Sequence, residues 1–157
     1  MQDQMPIEML KSDHRKVEEL FNDFESSSAD DIETRKSAIS QACQDLKVHA
    51  RLEEELFYPE VQNFSDEGKA FIDQSLQDHQ IMKDLISEIE NLGPEDSEFE
   101  NKAKELKENV LRHVQMEESK VFPFVEENLG DKMGPAMSAK MMANKAKYRV
   151  GAITEDM

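Results

Sequence analysis

The chain contains four histidines, and all four fall at corresponding places in an internal repeat. Ser12-Asp13-His14-Arg15-Lys16-Val17 echoes Gln77-Asp78-His79-Gln80-Ile81-Met82 at a shift of 65 residues. His49, Glu53, Glu54 and Tyr58-Pro59 echo His113, Glu117, Glu118 and Phe122-Pro123 at a shift of 64. Imidazoles and carboxylates are the ligands of borderline and hard cations, so the chemistry in prospect is metal binding without thiolate. In His49–Glu53 and His113–Glu117 the partners are four residues apart. That spacing stacks them on one helical face with roughly 6 Å of rise between them.

Each histidine interrupts an apolar stripe at a position where Leu or Ile would otherwise sit. Unpaired carboxylates in a core are expensive, and here two enter one core with four imidazoles. Two divalent ions, each held by two histidines and sharing two carboxylates, remove that cost. The neighbouring acids Glu54, Glu55 and Glu118 read as solvated surface, the usual place for charged side chains. Tyr58 reads as packing at the bundle end, Cys43 as a small buried hydrophobe, and Met133, Met137, Met141 and Met142 as the stripe of a covering helix.

Four long helical segments must position these residues. The first runs from about Pro6, a favourable first helical residue, to about Phe24. The second runs from about Asp31 to about Val61, with Asp30 as its cap. The third follows Ser65, carries Ile72, Leu76, His79, Met82, Ile86 and Ile89, and ends near Gly93-Pro94. The fourth starts near Asp96 or Ser97, where Ser97 and Glu100 have capping-box spacing, and stops at Gly130. A short fifth helix from Gly134-Pro135 to about Lys147 precedes a tail expected to fray. Short connections make neighbours antiparallel. The expected fold is all-α: one domain over 1–157, with an up-down-up-down four-helix bundle at about 6–128 and a short helix and tail at 129–157.

Composition bounds the function. The 157 residues carry a formal charge of −16, with 35 acidic against 19 basic side chains. That balance argues against nucleic acid and anionic membranes as partners. There is no apolar run long enough to span a membrane and no early secretory pattern. With a single cysteine, the expectation is a soluble cytoplasmic protein.

Together, His14, His49-Ala-Arg-Leu-Glu53, His79 and His113-Val-Gln-Met-Glu117 resemble the hemerythrin-like (HHE cation-binding) family, over about residues 6–128. The resemblance implies an oxo- or hydroxo-bridged di-iron centre meeting O₂, peroxide or nitric oxide as a small diatomic or peroxide ligand. It implies that His14 and His49 serve one iron and His79 and His113 the other, with Glu53 and Glu117 bridging. The implied role is a sensor, scavenger or redox module; iron storage, iron response and peroxidase- or catalase-like turnover are the alternatives. Manganese and zinc accept the same ligand types. One position departs from the family's oxygen carriers: Lys83 stands one turn after His79, where they have a fifth histidine. Glu18, its repeat partner one turn after His14, is a candidate extra ligand or a partner for Lys83.

Overall fold

A computed structural model describes residues 5–155, with side chains for 5–150. Its helices are α1 (Pro6–Ser26), α2 (Ile32–Leu52), α3 (Tyr58–Gln62), α4 (Asp66–Glu90), α5 (Ser97–Met116), α6 (Phe122–Asn128) and α7 (Pro135–Glu155). Among the described residues there is no strand. In outline this is the expected bundle with an added C-terminal helix, α7, lying across α1 and α2.

The helix ends follow local chemistry. Pro6 opens α1, and the Ser27 hydroxyl closes it by donating to the carbonyls of Asp23 and Phe24, both at 2.9 Å. Arg35 clamps the following turn, donating to Phe24 O at 3.0 Å and Ser27 O at 3.1 Å while lying over the Phe24 ring. The cap of α2 is Asp31, whose carboxylate accepts from Thr34 N at 3.2 Å, and not Asp30. Asp96 caps α5 by accepting from Glu98 N at 3.0 Å, in place of the expected Ser97 box. Both shifts are by one residue, where adjacent acidic or hydroxyl residues compete for the same orphan N–H groups. Ser65 caps α4, and Gly68 there meets the Val61 carbonyl so closely that a Cβ would lie 2.2 Å from its oxygen.

The second and fourth segments are not continuous α-helix. Each breaks into a π turn, at Glu53–Phe57 and Glu117–Val121, immediately after its His-x-x-x-Glu motif. Tyr58 N bonds back to Glu53 O and Phe122 N to Glu117 O, five residues away instead of four. The cause lies one residue on: Pro59 and Pro123 have no N–H to continue the ladder, and their rings crowd the preceding turn. Single π turns of this kind recur at functional sites.

Two apolar clusters fill the bundle. One holds Val17, Phe21, Phe24, Leu46, Met82, Ile86, Leu106 and Val110; the other holds Leu10, Leu52, Phe57, Val61, Ile72, Val121, Phe122 and Met141. Every histidine falls between the two along its helix. Leu76, expected in the stripe of α4, is 38% exposed instead, and Met142 is also exposed. Met133, Met141 and Tyr148 are buried, so α7 seals the lower cluster. Its helix continues past Lys147 to Glu155, where a frayed tail was expected; residues 156–157 of that tail lie outside the described residues.

Candidate metal centre

Between the two apolar clusters lies a polar layer made of His14, His49, His79, His113, Glu53 and Glu117, all buried, the two glutamates completely. Their donor atoms form two groups, His14/His49/Glu53/Glu117 and Glu53/His79/His113, each with its atoms within 4.8 Å of one another. His14 Nε2 lies 3.1 Å from Glu117 Oε1, and His49 Nε2 lies 3.2 Å from Glu53 Oε1. On the other side His79 Nε2 is 3.2 Å from Glu53 Oε1, and His113 Nε2 is 3.3 Å from Glu117 Oε2. The imidazoles pair by half, His14 with His49 and His79 with His113, at ring separations of 4.9 Å in both cases. Two buried clusters of histidine and glutamate are consistent with a binuclear metal site.

The donor set fits metal ions on a direct test. His14 Nε2, His49 Nε2, Glu53 Oε2 and Glu117 Oε1 are buried without a hydrogen-bond partner. The two nitrogens meet carboxylates only as ion pairs at 3.1 and 3.2 Å. A buried polar atom without a formed hydrogen bond costs about 1–3 kcal/mol, so a cation between them suits all four.

A second layer fixes every ring. His14 Nδ1 meets Glu118 Oε2 at 2.7 Å and His79 Nδ1 meets Glu54 Oε2 at 2.7 Å. His49 Nδ1 meets Asp13 Oδ2 at 2.9 Å and His113 Nδ1 meets Asp78 Oδ2 at 3.0 Å. A carboxylate on Nδ1–H turns Nε2 inward as the free donor and raises its basicity. Glu54 and Glu118 are therefore not the solvated surface acids the sequence suggests, whereas Glu55 is, 47% exposed and paired with Arg51. The available signal was the repeat itself, because both halves carry Asp before one histidine and a Glu-Glu doublet after the other.

These carboxylates control proton affinity. Burial alone lowers the His49 pKa, but Glu53 and Asp13 outweigh it and hold the imidazole well above its ordinary value. For His113, burial is likewise overcome by Glu117 and Asp78, bringing the pKa to about 10. Burial would raise Asp13, yet His49 and Lys145 bring it down to about 2. Against its own burial, Glu117 is held well below the ordinary range by His113, Glu53 and His14. With the proton affinity of His49 and His113 held high, cation binding at these two imidazoles is coupled to proton release.

Tyr58 corrects another expectation. It is fully buried inside the polar layer, its hydroxyl donating to Glu117 Oε2 at 2.5 Å and lying 3.1 Å from Glu53 Oε1. The same oxygen is 3.2 Å from His79 Nε2 and 3.3 Å from His113 Nε2. Burial, then the Glu117 and Glu53 charges, push its pKa well above the ordinary phenol value, so the proton stays on. Its repeat partner Phe122 lacks the hydroxyl and stacks on His14 with rings 5.9 Å apart. Glu18 and Lys83 do not enter the layer or pair with each other: Glu18 binds Arg15 at 2.8 Å and Lys83 binds Glu54 at 2.9 Å.

A small cavity opens over the four imidazoles, walled by Val17, Leu46, Met82, Val110 and Val114, with Asn109 and the second-layer Asp13 and Asp78 at its margin. Its volume is ≈ 20 Å³. On that scale one water needs roughly 10–15 Å³.

Known proteins resemble this chain in sequence and fold. A Nostoc protein described as a DNA nickase is 33% identical over 149 residues, covering 94% of this chain and 41% of its own. An uncharacterised hemerythrin-like protein of Schizosaccharomyces pombe is 26% identical over 134 residues, covering 85% of this chain and 65% of its own. The chain thus spans under two thirds of either curated relative's length. The crystal structure of a hemerythrin HHE cation binding domain-containing protein from Mycobacterium kansasii superposes with a TM-score of 0.82, at 20% identity, over 99% of this chain and 92% of that one. Residues 5–125 match the hemerythrin HHE cation binding domain profile, well over half of the sequence. The chain belongs to the hemerythrin HHE cation-binding family.

Proposed function

We propose that this chain is a non-haem di-iron binding protein that meets O₂, peroxide or nitric oxide as a sensor, scavenger or redox module. His14 and His49 would hold one ion, His79 and His113 the other, and Glu53 and Glu117 would be shared. When bound, two irons supply redox chemistry and coordination positions for a small ligand. The observation that carries the ligand class is the cavity: ≈ 20 Å³ against the imidazoles, walled mainly by apolar side chains. On that measure it holds about one or two heavy atoms, the size of a diatomic or peroxide and not of an organic substrate. The same tightness speaks against a mineral store.

The chain's own groups have definable roles. Asp13, Glu54, Asp78 and Glu118 orient the imidazoles and keep Nε2 facing inward. The flanking apolar clusters exclude bulk water, which strengthens each charge interaction within the layer. Tyr58, fully buried and not part of the cavity wall, holds a proton at Oη, hydrogen-bonded to Glu117. As a fixed hydrogen-bond donor beside the shared carboxylates, that hydroxyl suits one alternative, peroxidase- or catalase-like turnover.

The proposal does not extend to nucleic acid. Nicking is named for a relative more than twice as long, and a charge of −16 opposes binding to a polyanion. It does place the chain in the cytoplasm, where the buried, unpaired Cys43 stays a thiol.

The test is elemental analysis and an absorption spectrum after anaerobic loading with ferrous iron, followed by mixing with O₂, hydrogen peroxide or nitric oxide. The expected result is two irons per chain and a spectral change with at least one of the three. Fewer than two irons, or a spectrum indifferent to all three, overturns the reading. Many turnovers of peroxide per chain would favour the enzymatic alternative over sensing.

A further inference from the structure

Each of the four imidazole–carboxylate pairs has a further partner on its outer side. Glu118 takes Arg15 at 2.5 Å, adjacent in sequence to the histidine it supports, and Glu54 takes Lys83 at 2.9 Å, one turn from its own histidine. Asp78 takes the neutral amide of Gln74 at 3.1 Å, one turn back on α4. Asp13 differs: its Oδ1 accepts from Lys145 Nζ, which comes from α7. Among the described residues this is the one outer partner supplied from beyond α1–α6.

We propose that Lys145 is a positioning residue that makes the two metal positions unequal and couples the seat of α7 to the charge on the His14/His49 ion. This rests on the di-iron reading above. Asp13 shares its charge between two donors on opposite sides, His49 Nδ1–H through Oδ2 and Lys145 Nζ through Oδ1. The ammonium draws charge away from the imidazole, so His49 is a weaker electron donor than His113, whose Asp78 faces only an amide. A weaker donor favours the lower oxidation state of the ion it holds. The coupling runs both ways by linkage. Added positive charge beyond His49 pulls the Asp13 carboxylate toward Nδ1 and loosens its hold on Lys145.

The rest of α7 can register that loosening without unfolding. Met141 and Tyr148 remain buried one turn to either side of Lys145, and Arg51 lies over the Tyr148 ring at 4.1 Å. The lysine side chain is only 22% exposed, so most of its stem is covered, and Lys145→Met keeps an unbranched apolar stem of similar length there.

The experiment compares the iron-loaded wild-type chain with Lys145→Met, Lys145→Arg and, as a control on the same helix, the exposed Lys147→Met. Midpoint potentials come from spectroelectrochemical titration, individual iron environments from Mössbauer spectra, and the seat of α7 from amide hydrogen exchange over residues 135–150. Lys145→Met should lower the ratio of reduced to oxidised protein at fixed potential about tenfold, ~59 mV for one electron. It should alter one Mössbauer doublet and abolish the difference in α7 exchange between ferrous and ferric wild-type protein. Lys145→Arg should restore all three, and Lys147→Met should match wild type.

Should Lys145→Met unseat α7, Asp13→Asn provides the second arm. It should move the potential the opposite way, and adding Lys145→Met to it should cause no further shift. The proposal is overturned if Lys145→Met behaves like Lys147→Met, if both doublets move equally, or if the two substitutions add independently. Failure of the di-iron reading would show separately, as wild-type protein that takes up fewer than two irons, and would remove this proposal with it.

Discussion

The first half of the chain, α1 to α3, and the second, α4 to α6, build the same cage and surround it differently. Both place a histidine after an aspartate, a second histidine one turn before a Glu-Glu doublet, and a π turn just ahead of a proline. Beyond these shared residues the halves diverge at single positions. Tyr58 reaches into the polar layer where Phe122 only stacks on His14, Lys145 supports Asp13 where Gln74 supports Asp78, and Cys43 occupies the core where Lys107 pairs with Glu25 on the surface. Duplication therefore secures metal binding, while directional chemistry depends on what was not kept duplicated.

The sharpest way to break the comparison is at the shared glutamates. Glu53→Ala and Glu117→Ala should each lose both ions together, because each carboxylate faces histidines of both halves. Loss of one ion per substitution, by elemental analysis, would mean that each half binds independently.

Next comes the exchange of the aromatic pair. Tyr58→Phe makes the halves alike and removes the hydroxyl hydrogen-bonded to Glu117. Losing one preorganised hydrogen-bond donor of this kind costs roughly 10²–10³-fold. Peroxide consumption by the iron-loaded variant should therefore fall about 100-fold with metal content unchanged. Phe122→Tyr should not rescue it, since the other side of the layer is packed for a ring without a polar tip. Equal rates in wild type and Tyr58→Phe would make the tyrosine structural.

A smaller effect separates the second layer from true surface. Glu54→Gln and Glu118→Gln should each weaken metal binding by roughly 10–100-fold, the usual cost of losing a carboxylate behind a ligand imidazole. Glu55→Gln, next in sequence and exposed, should change it less than about twofold. Competition titration against a chelator measures all three.

Much of this was legible before any coordinates. Helical periodicity and the repeat located the bundle, and the six residues of the polar layer stood out as polar interruptions of apolar stripes. What escaped had physical reasons. Pro59 and Pro123 were visible, but whether a proline ends a helix or widens it to a π turn depends on the packing around it. The doublets Glu53-Glu54 and Glu117-Glu118 point their members to different places, and a hundred-degree step per residue does not tell a second-layer acid from a solvated one. Tyr58 and Phe122 differ by one hydroxyl, and the sequence does not show whether that hydroxyl turns into the polar layer or out to the bundle end. Lys145 lies 132 residues from Asp13 on a helix read mainly for its methionines.

The last difference between the halves is Cys43, whose repeat partner is Lys107. Burial, then the charge of Glu90, push its thiol from 9.0 to about 12 in the folded protein. Unfolding exposes the thiol, which then ionises near its ordinary value. Between about pH 9 and 12 the unfolded chain thus binds fewer protons here than the folded one, and stability must fall as pH rises. At pH 10 the loss is about 1.4 kcal/mol, a factor of ten in the folding equilibrium. Other groups titrate in the same range, but their contribution is shared by a Cys43→Ala variant and cancels in the comparison. Urea unfolding at pH 7 and pH 10 should show wild type losing about 1.4 kcal/mol more than Cys43→Ala, although the alanine variant starts lower at neutral pH through its lost packing. Parallel losses would place the thiol in contact with solvent, contrary to its 1% exposure beneath the α2–α4 groove.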